Sequence, residues 1–216
     1  MSDVSVLAHQ LDRQRRRRLL LTAVLSCAVV AAIALDTHVV RTDAAGSAQQ
    51  GFSPDSWAEQ HFPEVKQSVE RRAVDAQTLA AALQANQQAA AAQYGVGSPL
   101  PVIPVRLQGV VLPGEKGIFP LQIAGVPQSL KVRLQTGPAL SGTDLRDASG
   151  TIQFGDFTNQ IEYQNAGAAL NRAMKNSVLE KLDRDTLPGK TVQVTGVFRL
   201  LNAGNWLITP VSLEVK

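Results

Sequence analysis

One cysteine, Cys27, and three histidines, His9, His38 and His61, are all that this 216-residue chain carries of the side chains most used for covalent and metal chemistry. A lone cysteine excludes an intramolecular disulfide framework. Residues 101–216 contain neither Cys nor His, which removes Ser-His-Asp triads, cysteine nucleophiles and the usual zinc ligand sets from that half. Aromatic residues make up only 5% of the chain, and no run of basic residues follows Arg18. Nucleic acid as a partner is therefore not expected, because a single-strand platform needs clustered Lys/Arg interleaved with exposed rings. Phe119, Phe154, Phe157 and Phe198 are expected to fill a core instead. Neither an EF-hand spacing nor a phosphate-loop pattern is present, Gly114-Glu115-Lys116-Gly117 reading as a tight turn. The chain is expected to be non-enzymatic, without metal or cofactor.

What is present is unevenly placed. The formal charge of +3 divides into +3 over residues 1–18, −3 over 19–100 and +3 over 101–216. The first block is Arg13 and Arg15 to Arg18, followed by the uncharged run Leu19–Leu35 and then Asp36. Seventeen helical residues span about 25 Å, the short end of a membrane crossing. Cationic residues before the run orient it N-in, C-out. The expected localisation is the bacterial inner membrane, single-pass, with the C-terminal domain in the periplasm. Three readings of this segment stand side by side: a retained signal anchor, a signal peptide cleaved after the small-x-small Ala32-Ile33-Ala34, and a lipoprotein signal with lipidation at Cys27 in Val24-Leu25-Ser26-Cys27. Eight apolar residues after Cys27 weigh against the last, and Cys27 also reads as a small hydrophobe within a helix.

Beyond the anchor, 36–52 is small and polar and reads as a linker. A helical segment follows over 53–96. Ser53-Pro54 opens it with an N-cap and a first-turn proline, and Trp57, Phe62, Val65 and Val69 keep helical spacing. Pro63 is expected to kink or split that helix. A second start falls at Asp75, and between Ala73 and Ala92 ten of twenty residues are alanine, with Gly95 as the C-terminal cap. From residue 101 the pattern alternates. Strands are expected over Val102–Leu112, Gly117–Ile123 and Leu130–Gln135, then a helix through Ala169, Leu170, Met174, Val178 and Leu182, then strands over Thr191–Leu200 and Trp206–Val215. Gly196 within a strand suits a barrel bend, and Pro210 suggests an edge or bulge. The order of elements gives an α+β chain: a membrane-anchor helix, a helical segment, and an OB-fold-like small β-barrel over 101–216 with one inserted helix.

Six stretches occur in series: Ala73-Val74-Asp75-Ala76, Gln135-Thr136-Gly137-Pro138, Gly142–Ala148, Phe157–Tyr163, Ala169-Leu170-Asn171 and Gly189-Lys190-Thr191-Val192. Over about residues 15–216 the set resembles a bacterial domain-of-unknown-function family of predicted periplasmic lipoproteins. The resemblance implies export, a membrane anchor and a frequent genomic setting beside ribose-type or xylose-type sugar ABC transporters. It carries no activity to transfer residue by residue. The mid-span position of Cys27 departs from the lipoprotein pattern.

The densest polar group is Thr143, Asp144, Arg146 and Asp147, followed by Asn159, Gln160, Glu162 and Tyr163. Amides, a carboxylate pair, a guanidinium and a ring are what a saccharide site uses. The same residues also read structurally, with Arg146 paired to Asp147 or Glu162, and Asn159 and Gln160 capping backbone groups at a helix entry. Three functions follow: an accessory protein contacting a sugar transporter's permease or solute-binding protein at the cytoplasmic membrane, a periplasmic saccharide-binding module, and a structural envelope protein.

Overall fold

The computed structural model describes residues 26–29, 31 and 51–216, and the chain divides into units 1–50 and 51–216. In the first, Ser26–Val29 and Ala31 are helical and Cys27 is an exposed free thiol. Most of the expected anchor, 19–35, and most of the linker lie outside the described residues. Among the described residues no helix is long and apolar enough to cross a membrane.

The second unit runs α1 (Pro54–Arg72), β1 (Val74–Asp75), α2 (Ala76–Ala85), α3 (Gln87–Tyr94), β2 (Val102–Val111), β3 (Ile118–Gln122), β4 (Lys131–Gln135), α4 (Asp144–Ala148), α5 (Gln160–Met174), β5 (Thr191–Arg199) and β6 (Asn205–Val215). A 3-10 turn occupies Phe154–Asp156, and α5 continues as a π-helical turn over Lys175–Leu179. The strands lie in the order β1-β2-β3-β4-β6-β5, and β5 pairs back onto β2. Five strands thus close a barrel whose only parallel contact is β4 with β6. This is the connectivity of a small Greek-key barrel with a helix inserted between its third and fourth strands.

Closure depends on local irregularities. β2 pairs β5 along its whole length, from Val102 opposite Arg199 to Val110 opposite Thr191. On its other edge β3 reaches only Val110 and Val111, and the two-residue strand β1 fills part of the remainder, Val74 beside Val105 and Asp75 beside Arg106. The β5–β6 register shifts between Thr195 and Gly196, opposite Pro210. A Cβ at Gly196 would lie 2.5 Å from the Thr209 carbonyl oxygen, so only glycine lets the two strands approach at this bulge.

Two cores use opposite faces of the same strands, as the period of two in a strand dictates. One holds Ile103, Val105 and Leu107 of β2, Val192, Val194 and Phe198 of β5, Trp206 and Ile208 of β6, and Leu79 and Leu83 of α2. Phe198 and Trp206 stack there with ring centroids 4.7 Å apart. The other takes the outward-facing Val102, Val197 and Val211 and covers them with Phe62, Val65 and Val69 of α1, Leu145 of α4, and Leu170 and Met174 of α5. Helices α1 and α5 pack against each other over this second core.

The expected strands are all present within one residue at most ends. The structure departs from expectation at four points. Helix α1 is not split at Pro63, which lies on the exposed face of one continuous helix. The alanine-rich stretch is two helices, because Asn86 adopts an extended conformation and its side chain accepts from the Ala89 amide, opening α3. Regular helix ends at Met174 and the π turn at Leu179, before Leu182. Phe154 is half exposed rather than in the core.

Candidate functional site

Thr143 to Ala148 form one helical turn, because Leu145 and Ala148 face the second core and are fully buried. That turn carries Arg146 inward to 7% exposure. A buried guanidinium needs all its hydrogens placed. Its Nε donates to Asp147 Oδ1 at 2.8 Å, as does NH2 at 2.8 Å, and NH1 donates to the Tyr163 carbonyl at 3.0 Å. The Tyr163 ring lies 3.5 Å from the guanidinium carbon, a cation–π contact.

A second arginine completes the group. Arg199, at the end of β5, donates from Nε to Asp144 Oδ1 at 3.0 Å, from NH2 to Asp147 Oδ2 at 2.5 Å, and from NH1 to the Leu100 carbonyl at 3.1 Å. The Thr143 hydroxyl donates to Asp147 Oδ2 at 2.9 Å. Two guanidiniums and two carboxylates therefore alternate as Asp144, Arg199, Asp147, Arg146, with no net charge.

The two carboxylates respond differently. Burial pushes Asp144 above the ordinary range, and this outweighs the pull of Arg199. Burial acts on Asp147 too, but the hydrogen bonds from Arg146, Arg199 and Thr143 together prevail and hold it below its ordinary value. Arg199 is raised, since its bonds to Asp147 and Asp144 overcome the desolvation it suffers.

Of the eight candidates, Thr143, Asp144, Arg146, Asp147 and Tyr163 come together in this network. Asn159 and Glu162 instead cap α5: Asn159 Oδ1 accepts from the Glu162 amide at 2.9 Å, and Glu162 Oε2 accepts from the Thr158 amide at 2.9 Å. Gln160 is exposed and caps no backbone group among the described residues, contrary to its structural reading. Arg199 was not anticipated. Its signal lies in β5, where Val197 interrupts an otherwise polar face of Thr191, Gln193, Thr195 and Arg199; an apolar residue there means that something covers that face.

A cleft of about 380 Å³ opens beside the network, with Arg146, Asp147, Tyr163 and Arg199 in its wall. These charged groups are already spent on one another, so the cleft offers an incoming ion no unpaired charge. Among the described residues no group of three or more Cys, His, Asp or Glu could hold a metal ion.

The family model for the predicted periplasmic lipoprotein family DUF2291 matches residues 24–214. The chain belongs to that family. The DUF2291 match begins at Val24, so it takes in Cys27 as well as all but the last two residues of the barrel unit. Among solved structures, an OB-fold protein from Thermotoga maritima is similar at 18% identity and a TM-score of 0.62, covering 77% of this chain and 99% of its own. At that identity the likeness concerns the fold, and it agrees with the strand order found here. No curated protein matches this DUF2291 chain.

Proposed function

We propose that the chain is a non-enzymatic accessory of a sugar ABC transport system, held by residues 19–35 at the inner membrane in single-pass, N-in topology, with the barrel unit in the periplasm. The observation that carries the non-enzymatic part is the alternating network: every charged group of the densest polar cluster is consumed by a neighbour, so the cluster frames α4 against α5 and β5. The anchoring part rests on the arginine cluster and apolar run, and on membership of a periplasmic lipoprotein family. The transport association rests on the resemblance and its genomic setting.

Crosslinking in intact cells, followed by purification of the full chain in mild detergent, tests the association. A sugar permease or its solute-binding protein is expected among the crosslinked products, together with slower uptake of that sugar on deletion of the chain. Unchanged uptake of every pentose and hexose, with neither component crosslinked, overturns it.

A further inference from the structure

A second cleft, of about 430 Å³ and also lined by Thr143, lies between the loop carrying Pro138, Leu140 and Gly142 and the α5 residues Asn171, Arg172 and Lys175. Its size falls within the range of about 300–1,000 Å³ typical of small-ligand sites. Buried and half-buried polar side chains hold the loop wall in place. Gln135, 2% exposed, grips Ser141 with both ends of its amide, accepting from the Ser141 nitrogen at 3.3 Å and donating to its carbonyl at 3.4 Å. Arg184 donates twice to the Thr136 carbonyl, at 2.9 and 2.7 Å, and Asn171 Nδ2 donates to the Gly142 carbonyl at 2.9 Å. The loop approaches α5 at Gly167, where a Cβ would lie 3.2 Å from Thr143 Cγ2.

The lining contains two cations and no acid. Among the described residues Lys175 Nζ makes a single hydrogen bond, at 3.4 Å to the Pro138 carbonyl, which leaves most of its donor capacity open. Arg172 pairs with Asp55 through Nε and NH2, and its NH1 has no partner among the described residues. Asn171 lines the cleft and is 7% exposed; its Oδ1 accepts from no described group, yet no fully buried side-chain oxygen is without a partner, so that oxygen retains some exposure.

We propose that this cleft binds a small polyhydroxylated carboxylate, a sugar acid, with Lys175 and Arg172 taking the carboxylate and Asn171 Oδ1 accepting a hydroxyl proton. A neutral sugar leaves Lys175 without a counter-charge and Arg172 NH1 without an acceptor, and a bare carboxylate has no proton for Asn171. The ligand class follows from that mixed donor and acceptor set. This site is independent of any transport partner, so its failure and that of the association above are separate results.

Isothermal titration of the full-length chain in detergent with glucuronate, glucose and acetate tests the proposal. Glucuronate is expected to bind saturably, at least about tenfold more tightly than glucose or acetate. Lys175→Gln is expected to weaken glucuronate about tenfold. Ala168→Phe, at an exposed lining position, is expected to abolish binding by filling the cleft, both variants melting at the parental temperature. No saturable glucuronate binding, equal binding of acetate, or unchanged affinity in both variants overturns it.

Discussion

Three donors converge on Asp147, and the loss of that carboxylate leaves Arg146 buried without its partner. Asp147→Asn is expected to cost about 3 kcal/mol at neutral pH in urea unfolding, the low end for a buried pair because Asp147 is partly exposed. The pH dependence separates it from its neighbour. Asp147 titrates in the fold below its unfolded value of about 3.9, so its stabilisation is present above that value and is lost as pH falls through the folded one. Asp144 has the opposite sign: its folded value is raised, so the protonated form favours the fold and that contribution is lost as pH rises through it. Asp144→Asn is thus expected to cost less than Asp147→Asn at neutral pH, with the gap closing in acid. Equal costs at both pH values would refute this assignment of roles. At this scale the sequence showed the polar cluster and both readings of it, since Arg146 and Asp147 are adjacent. It did not show Arg199, which reaches the cluster from a strand more than fifty residues away, nor the buried Gln135 and Asn171, whose value lies in what the fold brings against them.

Helices and strands were legible wherever one periodicity ruled, because a one-sided apolar pattern admits a single orientation toward a core. Val192, Val194, Gly196, Phe198 and Leu200 alternate along the expected strand Thr191–Leu200 and so share one side of it, and the structure buries all five. Less legible were elements set by one side chain or by contacts remote in sequence: the break at Asn86, the two residues of β1, and the turn α4. Gly196 belongs here as well, since its strand-bending role was readable but the close approach of Thr209 was not. Gly196→Val is expected to destabilise the barrel by about 1–3 kcal/mol through overpacking, read as a lower urea midpoint with an unchanged slope. A midpoint within error of the parent would show that the bulge tolerates a side chain.

The whole molecule joins a basic, apolar N-terminal region to a unit in which helices and barrel share two cores. Residues 19–216 carry no formal net charge, so the positive charge of the chain resides in its first eighteen residues. In the proposed topology that asymmetry sets the orientation of residues 19–35 in the membrane. Mass spectrometry of the mature N-terminus decides among its three fates. An N-terminus upstream of Leu19 is the expected outcome for a retained anchor; a start at Leu35 or a diacylated Cys27 would replace that reading with cleavage or lipid attachment. Within the barrel unit, the stub Val74–Asp75 has a bearing on solubility. It occupies backbone groups of β2 beside Val105 and Arg106 that β3 is too short to reach. Left open, that stretch would be a template on which the strand of another molecule could add. Two residues thus help to keep neighbouring copies from joining edge to edge, a protection that matters most where the chain is concentrated on a surface.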